Sequence, residues 1–83
     1  MALIVPPWVA MELASVPRDV AKRLLERLER IAEDPFAPQP GVKPMTGRSG
    51  VFRVRQGDWR AVYSVEEGDV IVERVANRKV VYR

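Results

Sequence analysis

A chain of 83 residues, 47% apolar and 30% charged, is long enough for one small folded domain and too apolar for a disordered one. It has neither cysteine nor histidine, which excludes disulfides, thiolate metal sites, a cysteine nucleophile and the commonest general base and zinc ligand. Fourteen Lys and Arg against eleven Asp and Glu give a net charge of +3, and the surplus lies in the C-terminal half, where residues 43–83 hold nine basic and five acidic side chains.

Leu3, Ile4 and Val5 are a β-prone run stopped by Pro6-Pro7, which predicts a brief strand at a sheet edge. No basic segment precedes it, and no apolar run nears the roughly 18 residues that span a bilayer. The reading is a cytoplasmic protein with no membrane segment, and residues 1–83 are read as one domain. Trp8 to Ala14 follows as a short helix, with Pro7 in its first turn and Trp8, Met11 and Leu13 facing inward.

Pro17 opens the strongest element. From Arg18 to Glu33 the apolar residues Val20, Ala21, Leu24, Leu25, Leu28, Ile31 and Ala32 recur at steps of three and four, one face of a helix. The remaining positions are mostly charged and read as a solvated face or a partner-binding surface. Asp19/Arg23 and Glu26/Arg30 are spaced as acidic-to-basic pairs four apart. Asp34-Pro35 ends the helix, because the residue before proline is pushed out of the α region. The two helices make a hairpin with a tight joint at Ser15-Val16-Pro17.

Residues 35–50 read as a loop, punctuated by Pro35, Pro38, Pro40, Gly41, Pro44, Gly47 and Gly50. Three alternating runs follow: Val51–Arg55, Trp59–Val65 and Val70–Ala76, with turns at Gln56-Gly57-Asp58 and Glu66-Glu67-Gly68-Asp69. Such short turns imply an antiparallel meander. The fold class is therefore α+β: an N-terminal helical hairpin packed on one face of a small, mainly antiparallel twisted sheet. Phe52, Trp59 and Tyr63 join Trp8 as core candidates.

The period of two sends Phe52 and Val54 toward the helices and Arg53 and Arg55 away from them. Arg60 joins the uncovered face from the next strand, and Arg78 follows the third. Guanidinium groups stay charged in proteins, so the four make a lasting positive surface suited to phosphate. No spacing suggests a metal site or a phosphate-binding glycine loop, and no organic cofactor is implied.

The order of parts resembles the RelE/ParE superfamily of toxins from type II toxin–antitoxin systems, most nearly its RelE-like branch. The segments that carry the resemblance are Leu13–Pro17, Ala32–Pro35, Lys43–Gly47, the run from Val51 to Tyr63 and the terminal Arg78-Lys-Val-Val-Tyr82. The resemblance implies a ribosome-dependent mRNA endoribonuclease, in which the ribose 2′-hydroxyl attacks the adjacent phosphorus. It implies phosphate-binding roles for Arg60 and Arg78, a catalytic cation at Arg53 and a base-orienting Tyr82. Lys43, Arg55 and Lys79 fall in the RNA-binding surround. Loss of Arg60 or Arg78 is expected to abolish growth arrest and leave the fold intact. Asn77 and Val51 stand where relatives often carry His or Lys, so the general base stays open among Tyr82, Lys79 and a ribosomal group.

The partners implied are a cognate antitoxin, the ribosome and mRNA. Two other readings share the fold: a ParE-like DNA gyrase inhibitor, and a catalytically weak homologue acting as an antitoxin-binding module.

Overall fold

The computed structural model describes residues 2–77. Strand β1 (Leu3–Ile4) leads into helices α1 (Pro7–Ala14) and α2 (Arg18–Glu33), followed by β2 (Val42–Pro44), β3 (Val51–Gln56), β4 (Trp59–Glu66) and β5 (Asp69–Asn77). The sheet order is β1-β5-β4-β3-β2; β1 pairs parallel with β5, and all other neighbours are antiparallel. This is the α+β class read from the sequence. No helix among the described residues is long and apolar enough to cross a membrane.

The proline-rich segment is not all loop, because it contains β2 at the sheet edge. Met45 N–H donates to Val51 O and Arg55 N–H to Gly41 O. Those bonds put the hydrogen-bonded positions of the edge at 41, 43 and 45. Pro44 falls between them with its nitrogen turned from β3, a place where a missing donor costs nothing.

Helix α2 has the predicted bounds and buries Leu24, Leu28, Ile31 and Ala32. Its two spaced charge pairs are not closed: the ion pairs among the described residues are Arg48–Glu73 and Arg74–Glu12. Helix α1 turns Leu13 inward as expected, but not Trp8 or Met11. Val9 is fully buried, whereas Trp8 is 60% and Met11 76% exposed. The helix is apolar on nearly every side, so its sequence carries no stripe to orient it. A polar group decides instead: the Glu12 carboxylate accepts the Val75 N–H at 2.9 Å, which turns Val9 and Leu13 toward β5.

On the covered face of the sheet Val54, Ala61, Tyr63, Val70, Val72 and Val75 meet both helices, with Phe52 and Trp59 partly buried beside them. Phe52 stacks on Tyr63 across β3 and β4, ring centroids 5.7 Å apart. The β3–β4 hairpin closes on two residues, with Gly57 at φ +61° taking the first turn position. Between Val62↔Arg74 and Tyr63↔Val72 the register slips, leaving Glu73 as an extra residue of β5. Freed from the ladder, Glu73 takes two other partners. Its carbonyl accepts the Trp8 indole N–H at 3.1 Å, and its carboxylate receives both terminal nitrogens of Arg48. That ion pair joins the loop before β3 to β5 across β4. On the uncovered face nearby, Val51, Val62 and Ser64 are buried.

Leu28→Ala is expected to lower the unfolding free energy by about 2–5 kcal/mol, as for other buried leucines. Met11→Ala should change it by less than about 0.5 kcal/mol. Urea denaturation measures both, and a large Met11 effect would reinstate the inward-facing reading. Burial also pushes the Tyr63 phenol up to about 12. An unfolded tyrosine ionises near pH ~10, so on raising the pH the unfolded chain loses that proton first. Stability should hold up to about pH 10 and fall between there and about 12, and Tyr63→Phe should remove that part of the fall in the urea midpoint.

Candidate anion-binding site

The uncovered face owes its charge to register. Lys43 lies opposite Arg53 across β2 and β3, and Arg55 lies opposite Arg60 across β3 and β4. All four side chains, with Gly41, line one cavity of about 100 Å³. No described carboxylate lines it. Like charges directly opposite on neighbouring strands destabilise a sheet. Here two such pairs adjoin each other.

Arg60 differs from its neighbours in being only 7% exposed. Its Nη1 donates to the carbonyls of Gly57 at 2.8 Å and Trp59 at 3.1 Å, both in its own hairpin. The guanidinium is thus held in place by the turn it closes. Removing it would lose both hydrogen bonds that fasten the hairpin. Arg60→Ala therefore tests fold and site together, contrary to the expectation that it leaves the fold intact. Arg53 is half-buried and Arg55 exposed, so both are cleaner probes. Arg78, Lys79 and Tyr82, the other candidates, lie outside the described residues.

One residue behind the site was read as part of a solvated helix face. Arg27 of α2 donates from Nη1 to Arg55 O and from Nη2 to Pro40 O, with Gln56 Oε1 3.3 Å from Nη1. It ties the helix to β3 and to the turn that leads into β2. The available signal was spacing: Arg27 falls three residues after Leu24 and four before Ile31, on the border of the apolar stripe. Gly41 makes that tie sterically possible. Its φ is +74°, and a Cβ there would come within 2.9 Å of Arg27 Nη2.

Residues 7–82 match the family model for the ParE toxin of type II toxin–antitoxin systems, parDE. Among solved structures, the chain is similar to the toxin of a RelB–RelE antitoxin–toxin complex from Methanococcus jannaschii. That match has a TM-score of 0.81 at 22% identity, over 95% of this chain and 94% of that one. An archaeal RelE–RelB complex from Pyrococcus horikoshii OT3 gives 0.78 at 23% identity, covering 95% and 96%. The isolated RelE toxin of E. coli gives 0.78 at 21%, covering 98% and 89%. At these identities the structures establish a shared fold. No curated protein gives a sequence match.

Gly41→Ala should destabilise the protein by more than about 1 kcal/mol, since it meets both a positive φ and the Arg27 guanidinium. Thermal unfolding followed by circular dichroism checks this, and an unchanged midpoint would show that the Arg27 tie is not needed.

Proposed function

We propose that this chain, which belongs to the ParE toxin family of type II toxin–antitoxin systems, is a ribosome-dependent mRNA endoribonuclease. The observation that carries the proposal is the pairing of cation against cation across β2, β3 and β4 around one small cavity. Four cations set around one cavity suit an RNA phosphodiester. In this reading the 2′-oxygen of one ribose bonds to the adjacent phosphorus as the bond from phosphorus to the 5′-oxygen breaks. The products are a cyclic phosphate and a free 5′-hydroxyl. Negative charge builds on the phosphoryl oxygens, where fixed cations stabilise it most.

Arg53 and Arg60, with Arg78, take the roles of binding and neutralising the scissile phosphate. Tyr82 orients a base, while Lys43, Arg55 and Lys79 hold the surrounding RNA. The 2′-hydroxyl proton goes to Tyr82, Lys79 or a ribosomal group. A free tyrosine ionises only near pH ~10, so Tyr82 would need its environment to activate it.

The natural counterpart is a cognate antitoxin, in keeping with the similar RelE chains solved in complex with RelB. A segment with acidic or amphipathic character that folds on binding would suit the cationic face. The matched family model carries the ParE name, and this favours DNA gyrase inhibition as the second reading.

Two assays on the purified protein separate the readings: cleavage of mRNA on programmed ribosomes, and inhibition of gyrase supercoiling. Ribosome-programmed cleavage with no effect on gyrase is the expected outcome, and the reverse would overturn the proposal. Arg53→Ala should reduce cleavage by about 10²–10³-fold, the usual cost of losing one oxyanion contact, with little change in unfolding midpoint.

A further inference from the structure

We propose that the RNA site continues beyond the four-cation cavity into a second one beside α2, where Arg30 and Gln39 hold the phosphate of a neighbouring nucleotide. This rests on the RNA-cleaving reading and extends it to a subsite. The second cavity, about 480 Å³, is lined by Arg27, Arg30, Gln39, Pro40, Gly41, Arg55 and the start of the β3–β4 turn. It shares Gly41 and Arg55 with the first, so the two are contiguous. They meet at Gly41 and Arg55, where the Arg27 guanidinium packs beside the glycine.

The second cavity is also built for an anion. Its lining holds three arginines and two glutamines and no carboxylate. Arg27 spends its donors on the neutral carbonyls of Arg55 and Pro40, so its positive charge is not cancelled. Arg30 has Glu26 four residues earlier, in the order that favours a helix ion pair. The pair is not formed, and the Arg30 side chain lines the cavity instead. Gln39 also lines the cavity, and its amide is a group able to donate to phosphate oxygen. The charge of a helix end that served only solubility would not need a concave partner surface.

The test is fluorescence anisotropy of the full chain with labelled single-stranded RNA, a hexanucleotide and a dinucleotide, over a salt titration. Arg30→Gln should weaken hexanucleotide binding and lower the slope of log affinity against log salt by about 0.7, one phosphate contact on a single strand. Dinucleotide binding should not change, and adding Gln39→Ala should weaken the hexanucleotide further. Unchanged hexanucleotide affinity and slope in Arg30→Gln, with Arg53→Ala weakened, would overturn the second subsite alone. If Arg53→Ala also binds as the parent does, or the parent binds no RNA, the strand path through both cavities is overturned, and the cleavage reading stands or falls on the programmed-ribosome assay. An Arg30 effect seen only with a hairpin RNA would assign the cavity to structured RNA such as that of the ribosome, and would overturn the continuous strand path.

Discussion

Two helices lie on one side of this sheet and, among the described residues, no helix lies on the other, and the placement of every candidate side chain on β2, β3 and β4 depends on that asymmetry. With a side-chain period of two, whatever β3 and β4 do not send to the helices they must send outward. Val54, Ala61 and Tyr63 are claimed by the core, so Arg53, Arg55 and Arg60 go to the opposite side. A one-residue slip would bury three guanidinium groups against Leu24 and Leu28. The hydrophobic layer and the cationic layer thus fix each other's register.

The side without a described helix is itself divided. Near the β2–β3 loop it is closed, with Val51, Val62 and Ser64 buried and the Arg48–Glu73 pair reaching across β4. Toward the β3–β4 turn it is open and positive. Arg60 belongs to both functions, as a fastener of its hairpin through two carbonyls and as a wall of the cavity. Arg27 plays a similar part from behind, fixing the Arg55 backbone while its charge faces the larger cavity. Stability and ligand recognition share the same guanidinium groups here, which limits how far either can change without the other.

Much of this was legible in the residues. The three- and four-step recurrence from Val20 to Ala32 marked α2 to its ends, and alternation from Val51 onward gave the meander and the outward set Arg53, Arg55 and Arg60. What was hidden had physical reasons. Helix α1 is apolar on nearly all sides, so periodicity could not say that Val9 rather than Trp8 and Met11 turns inward; a single carboxylate bond to Val75 does. Strand β2 was masked by Pro44, whose tolerance depends on which edge of the strand faces its neighbour. The role of Arg27 rests on contacts with residues 13 and 28 positions away, beyond the reach of any local pattern.

Strand β1 joins Leu3 to Val70 and Ile4 to Ile71, with the Val70 N–H donating to Ala2 O. The β3–β4–β5 meander, by contrast, closes through two-residue turns. Loop-closure entropy grows with the length of chain enclosed, so the parallel pairing is the costliest contact in the fold to nucleate. During synthesis β1 has no sheet neighbour until β5 has left the ribosome. A nascent chain truncated before residue 69 therefore lacks the partner that seats β1, and the five-stranded sheet can close only once β5 has emerged.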